Sequence, residues 1–383
     1  MAENSKIEWC DHTFNPWRGC TKVSPGCAHC YAETLSRRNP AVLGEWGKGK
    51  PRVLASNDMW RQPLKWAVAA QNSRVLNGAI WRAEANVTTW DNRDIVERTV
   101  LIKLATSSRR ELTRELPLSE WEALPCPRPR VFCASLADWL DDEVPIEWLA
   151  RLLELIFSTP HLDWLLLTKR PQNWAGRILE VEKMARQSYC GEPRTTPDFD
   201  WKDAGAFYEW ITDWTTGNYI PANVWIGTSV EDQARADERI PRLLSIPAKV
   251  RFLSCEPLLG PVDLHSPHIK VTTWRVGEYF DGPPPLNGIH WVIVGGESGP
   301  GARPMHPDWA RSLRDQCEAA SVPFFFKQWG EWSSGNLADG PVFLGESGEF
   351  EDSPRRRVGK KRAGRLLEGR EWNEFPNLEG GGR

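Results

Sequence analysis

No apolar run in the sequence approaches the roughly 18 residues that a membrane-spanning helix needs. The opening residues, MAENSKIEWCD, lack a basic stretch leading into an apolar one. A secretory signal is therefore not expected, and the chain reads as cytoplasmic with no membrane partner. No repeat of fixed period is present, which argues against a solenoid. Nor is there an excess of one charge: 48 Lys and Arg stand against 51 Asp and Glu, for a net charge of −3. Any nucleic-acid contact must then come from a local patch rather than from a global basic field. Tyrosine is scarce, with five residues against 22 tryptophans. What is present is globular in kind: 383 residues, 40% hydrophobic and 26% charged, enough for one large domain or two ordinary ones. The nine cysteines are odd in number, and three of them crowd together between Cys20 and Cys30. That pattern points to metal or redox chemistry rather than to a disulfide framework.

Short, bulky apolar runs recur at Val131–Ala134, Trp164–Leu167, Val224–Ile226, Val250–Leu253, Trp291–Val294 and Pro323–Phe326. They have the look of strands buried on both faces. Segments with helical spacing lie between several of them, at Pro145–Ser158, Val230–Ile246 and His306–Ser321. Strand and helix in alternation predict parallel βα units with right-handed crossovers. With one further strand near the N-terminus, the expected fold is α/β: a full or partial (β/α) TIM-like barrel, with a doubly wound open sheet as the alternative. The barrel is expected over residues 1–334, interrupted by insertions at about 67–115 and 177–221 that shape substrate access. A segment at 265–289 reads as an ordered loop, and residues 335–383 read as a basic C-terminal extension.

Function in such folds gathers at the C-terminal ends of the strands. Here those ends are polar in every case. Ser135 and Asp138 follow the first run, Thr168, Lys169 and Arg170 the second, and Thr228, Ser229, Glu231 and Asp232 the third. Ser254 and Glu256, then Gly295, Gly296, Glu297 and Ser298, then Lys327 and Gln328 follow the others. Six polar ends on one rim predict a polar cavity at the barrel mouth.

The strongest local signal is Cys20-Thr-Lys-Val-Ser-Pro-Gly-Cys27-Ala-His-Cys30, followed by a helix over Tyr31–Arg38. Three thiolates in a Pro- and Gly-containing loop bind a soft metal or an iron–sulfur cluster, and a helix N-terminus stabilises their charge. A cluster held by three cysteines leaves one iron open. Zinc is the alternative and wants a fourth ligand, for which Cys10, His12 and His29 are candidates. Unliganded thiols are the third possibility.

The stretch Ile7-Glu8-Trp9, Phe14–Cys27 and Cys30-Tyr31-Ala32-Glu33 resembles the phage three-Cys-motif family, also called the phage Gp thirty-seven/sixty-eight family. The resemblance continues through Val224–Gln233, Arg251–Gly260, His290–Met305, Pro323–Trp332 and Ala363–Leu367, almost the whole chain. It implies a radical S-adenosylmethionine-like enzyme. In that superfamily three cysteines, here Cys20, Cys27 and Cys30, hold a 4Fe-4S cluster, and the amine and carboxylate of S-adenosylmethionine chelate the fourth iron. Reductive cleavage of the cofactor then yields a radical that abstracts hydrogen from substrate. The usual spacing has three residues between the first two cysteines; here there are six. Tyr31 matches a position near the cofactor adenine, and Gly295-Gly296-Glu297 resembles the motif that binds the cofactor amine, although it follows a late strand. The resemblance also implies a three-Cys-motif partner protein.

Asp138, Ser229, Glu256, Glu297 and Lys327 are thus expected to line the cofactor and substrate cavity, with Glu256 and Lys327 as the catalytic candidates. Trp201, Trp210 and Trp214 are candidates for stacking on bases, whereas Trp164, Trp225 and Trp291 open strands and read as packing residues. Arg355–Arg365 holds seven Lys or Arg in eleven residues, either a solvated face or a phosphate contact. A nucleic acid or nucleotide substrate, in modification or repair, follows from these features. Two other readings remain open. One is a zinc-stapled barrel that binds nucleic acid without radical chemistry. The other is a hydrolase using Glu256 and Glu297 as acid and base with Lys327 as electrophile.

Overall fold

The computed structural model describes residues 2–77, 79–91, 94–104, 113–191, 203–266, 269, 286, 288–333, 342–343 and 355–377. Seven short strands form its centre: β1 (His12–Phe14), β2 (Arg130–Cys133), β3 (Asp163–Thr168), β4 (Val224–Ser229), β5 (Val250–Cys255), β6 (Trp291–Gly295) and β7 (Phe324–Gln328). Each pairs in parallel with the next in the chain. The order never reverses, so the doubly wound alternative, which requires a reversal at a switch point, does not hold. Twisted strands added always on the same side curl the sheet into a half-barrel.

Each expected strand run lies within or overlaps one of β2–β7. The helices are α1 (Tyr31–Arg38), α2 (Ile146–Phe157), α3 (Trp174–Tyr189), α4 (Ala204–Thr216), α5 (Gln233–Leu244) and α6 (Pro307–Ala319). Of these, α1, α2, α5 and α6 fall on the segments read as helical, whereas α3 and α4 fall mostly in the stretch read as an insertion. Asp232 caps α5 by accepting the Arg235 N–H at 2.8 Å, the usual device for satisfying a free helix N-terminus.

Side-chain alternation along the strands gives the sheet two apolar faces. The outer face carries Val131, Trp164, Leu166, Ile226, Leu253, Val292 and Phe326, which share one core with the helices. The inner, concave face carries Phe132, Leu165, Trp225, Phe252, Trp291, Ile293 and Phe325, which close over Trp9 without any helix. Rings meet edge to face there: Trp291 lies 6.2 Å from Trp225 and 6.0 Å from Phe325. Such geometry suits the ring quadrupoles. Trp164, Trp225 and Trp291 are packing residues, as expected.

The expected insertions and tail take their own forms. Residues 73–117 contribute a four-stranded antiparallel sheet, Ser73–Leu76, Ala79–Asp91, Asp94–Leu104 and Thr113–Pro117, paired in that order. It has a small core of its own, with Val100, Ile102, Leu116 and Trp121. In the region 177–221, α3 and α4 pack outside the barrel. Phe207, Ile211 and Trp214 are fully buried there, and the Trp214 indole donates to the Pro247 carbonyl at 2.7 Å. Trp210 packs on Phe157 and Phe207. The stacking role expected of Trp210 and Trp214 is therefore overturned: core packing already uses their faces. Trp201 lies outside the described residues, as does most of 265–289.

The basic tail is not an extension apart from the barrel where it is described. Leu367 and Trp372 are buried in the main core. The Phe326 N–H donates to the Trp372 carbonyl at 3.0 Å and the Glu374 N–H to the Phe324 carbonyl at 3.2 Å, so this segment covers the outer edge of β7. Phe375 then turns under the barrel against Trp291 and Phe325.

Gly227, on the inner face of β4, makes room for the Phe252 ring. A Cβ there would sit 2.4 Å from that ring, inside any possible contact. Gly227→Ala should therefore lower stability by about 1–3 kcal/mol through overpacking. The measurement is urea unfolding, with a lower midpoint at an unchanged slope.

Candidate active site

Above the aromatic floor, at the C-terminal ends of the strands, lies a cavity of about 410 Å³. All six polar strand ends reach it: Ser135 and Asp138, Thr168 with Lys169 and Arg170, Ser229, Ser254 with Glu256, Gly296 to Ser298, and Lys327 with Gln328. Cys20, Cys27, Cys30 and Tyr31 line the same space. Most of the strand-end residues singled out from the sequence thus converge; Thr228, Glu231, Asp232 and Gly295 are not part of the lining.

The cysteine loop has little regular structure of its own, a single turn over Pro25–Cys27. Three buried or partly buried carboxylate–arginine pairs hold it, one from the end of every second strand. After β2, Asp138 pairs with Arg170 at 3.0 Å, and Arg170 also donates to the Thr21 carbonyl at 2.8 Å and points a nitrogen at the Cys20 sulfur at 3.6 Å. After β4, Glu231 pairs with Arg239 at 2.9 Å and accepts the Gly26 N–H at 3.3 Å. After β6, Glu297 binds Arg303 through both oxygens, at 2.6 and 2.8 Å, and meets the His29 imidazole at 3.2 Å. Arg303 in turn donates to the Pro25 carbonyl at 3.0 Å.

These partners redefine several expected roles. Asp138 accepts from Leu140 N–H, Thr168 Oγ1, Lys169 N–H and Arg170, so its lone pairs are fully used by the protein. It is a positioning residue. Glu297 is likewise committed to the loop. A Cβ on Gly296 would lie 2.1 Å from the Trp329 carbonyl, and one on Gly330 2.1 Å from the Glu297 carbonyl. Close crossing of two backbones explains this glycine pair without a ligand. Glu256 accepts the Lys327 ammonium on both oxygens at 2.8 Å, with Gln328 at 3.2 Å. Both carboxylates of the hydrolase reading are therefore held by cations, and neither stands free as a general base. Tyr31 donates its hydroxyl to the Ser135 carbonyl while its ring remains exposed. Ser229 accepts from Lys169 at 3.0 Å.

Burial, with the Asp138 charge, pushes the Cys20 thiol up to about 12 although Arg170 opposes it. Burial also raises Cys30, against which the Ala32 and Glu33 N–H groups at the start of α1 act in the opposite sense. Burial thus favours the protonated form of both thiols. Of the proposed fourth zinc ligands, Cys10 is buried and donates to the Ile7 carbonyl and His12 stacks on Trp66 at 4.3 Å, whereas His29 lines the same cavity as the three cysteines and meets Glu297 through Nδ1. Among the described residues no three His, Cys, Asp or Glu stand close enough to hold one metal ion. Cys20, Cys27 and Cys30 all line one cavity, the donor type that either a soft metal or an iron–sulfur cluster would take.

Sequence reasoning missed the arginines of the loop clamps, Arg239 and Arg303. Arg239 is two helical turns beyond Glu231, a readable signal; Arg303 follows Glu297 through an irregular loop and gives none. Lys360, from the basic tail, also lines the cavity. Burial alone would raise the Glu297 carboxyl, but Arg303 and His29 hold it below its ordinary value. A depressed carboxyl stabilises the fold above its unfolded-state value of about 4.3 and loses that contribution as the pH falls further. Glu297→Gln should cost about 1–3 kcal/mol at neutral pH. In urea titrations its gap to wild type should close as the pH is lowered through the acid range; a gap that stays constant would remove the charge from the explanation.

A family model described as a protein of unknown function, DUF5131, matches residues 4–376. No curated protein and no solved structure matches the chain. Since the match runs from before β1 to beyond the segment covering β7, cysteine loop and cavity included, the chain belongs to the DUF5131 family.

Proposed function

We propose that the cavity is the active site of a radical S-adenosylmethionine-like iron–sulfur enzyme acting on a nucleic acid or nucleotide. The observation that carries this reading is that Cys20, Cys27 and Cys30, on one clamped loop, share a single cavity with the polar ends of six parallel strands. The likeness to the three-Cys-motif family supports it. When bound, a cluster so held would supply an electron to the sulfonium of S-adenosylmethionine.

The chain's own residues would do the rest. Arg170 directs positive charge at the Cys20 sulfur, and the N-terminus of α1 does the same at Cys30. Trp9, Phe132 and Leu167 form an apolar floor that keeps water from the reacting atoms. Lys327, gripped by Glu256, presents a proton at Nζ beside that floor and can donate it to a ligand oxygen. Lys169 and Ser229 offer polar contacts on the opposite wall. A three-Cys-motif partner protein belongs to the same reading.

Anaerobic metal analysis with an optical spectrum tests it. Wild type should carry about four irons per chain and a broad visible band that dithionite bleaches. The triple variant Cys20→Ala, Cys27→Ala, Cys30→Ala should lose both. One zinc per chain and no visible band would overturn the proposal.

A further inference from the structure

Five cations and three carboxylates line the cavity, although the chain as a whole is acidic. The three carboxylates are matched: Asp138 by Arg170, Glu256 by Lys327 and Glu297 by Arg303. Lys22 pairs with Glu33 at 2.8 Å. Two ammonium groups are left. Lys169, half-buried at the end of β3, donates to the Ser229 hydroxyl and also acts on Glu231, which Arg239 already pairs. Lys360 is exposed at the mouth and has no ion-pair partner among the described residues. A cavity whose lining holds more cations than carboxylates favours an anionic ligand.

Lys360 is held at the mouth by its backbone. The turn Lys360–Ala363 is bracketed by Gly359 and Gly364, with φ of +84° and +71°, values that only glycine adopts without strain. The Val358 and Gly359 N–H groups donate to the Glu331 carbonyl at 2.9 and 3.0 Å, and the Trp329 N–H donates to the Gly364 carbonyl at 3.1 Å. The Trp329 indole donates to the Leu366 carbonyl at 2.8 Å. These bonds fix the basic residues in space relative to the cysteines, which a merely solvated tail would not need. Lys361 and Arg362 carry the positive charge outward, beyond the cavity lining. Trp46, half-buried, lines the same cavity and offers an indole to a base.

We infer that the ligand is a single-stranded polynucleotide, with one nucleotide in the cavity and the adjoining phosphates on the Lys360–Arg362 turn. A free nucleotide would be satisfied by Lys169 and Lys360 alone. Cations continuing past the mouth serve a ligand that itself continues past the mouth. Trp46 favours a nucleic acid over an acidic peptide, which has no ring to stack. This inference rests on the proposed function only in placing the substrate in the same cavity.

The test is fluorescence anisotropy with fluorescein-labelled oligothymidylate and oligouridylate of about twenty nucleotides, on wild type and on Lys360→Glu/Lys361→Glu, with iron content measured on the same samples. The double variant should bind at least about tenfold more weakly, and its salt slope should fall by about 1.4, for two lost phosphate contacts. Trp46→Ala should weaken binding with no change in salt slope. Both variants alter partly or fully exposed side chains, and equal melting temperatures would verify folding. Thymidine monophosphate or polyglutamate competing as well as the strand, or unchanged binding in the charge variant, would overturn the inference. Iron retained with strand binding that does not depend on the lysines defeats the inference and leaves the radical reading standing; lysine-dependent binding without iron does the reverse.

Discussion

The site depends on tethering a loop that cannot hold itself. Between Gly19 and Cys30 a single turn at Pro25–Cys27 is the only regular structure. Its shape is imposed from below, by carboxylates placed after β2, β4 and β6 and their arginine partners. Buried ion pairs contribute little net stability, because desolvation offsets their attraction, but breaking one leaves an uncompensated charge. Such pairs therefore select one loop geometry strongly while adding little to the fold's overall stability. Guanidinium suits such tethering, because its fixed fork lets Arg170 and Arg303 each bind a carboxylate and a loop carbonyl at once.

Two chemistries are stacked along the strands. The lower half of each inner face is aromatic or branched, as at Trp225 and Trp291; the upper end is a hydroxyl, a carboxylate or an ammonium, as at Ser229, Glu256 and Lys327. The change occurs within one or two side-chain layers. Gly227 marks it, since its missing side chain admits the Phe252 ring directly beneath Ser229. A rigid apolar floor of interlocked rings gives the polar groups above it fixed positions and a low dielectric, in which each charge acts over a longer range.

Much of this was legible in the sequence, for reasons that also set the limit. Strands buried on both faces announce themselves as short apolar runs, and parallel order puts their polar ends on one rim, so the cavity lining followed from position alone. Roles did not follow, because a role depends on partners distant in the chain. Glu297 looks like a ligand-binding residue until Arg303 and His29 are seen on it, and Asp138 looks free until Thr168 and Arg170 fill it. The aromatic cluster around Trp210 and Trp214 misled for the same reason: a ring's face is available for stacking only if no helix covers it, and α2 and α3 do. The tail was judged by its charge, whereas Leu367, Trp372 and Phe375 decide its place.

The covering of β7 by residues 372–374 has a consequence for synthesis. The outer edge of β7 carries unpaired backbone groups until several dozen further residues have left the ribosome. An open strand edge invites pairing with another chain, and parallel sheets assemble slowly. The nascent half-barrel is thus exposed on one side after its central sheet is complete. The same stretch of chain that ends this exposure also delivers Lys360 to the cavity, so protection of the edge and completion of the mouth arrive together.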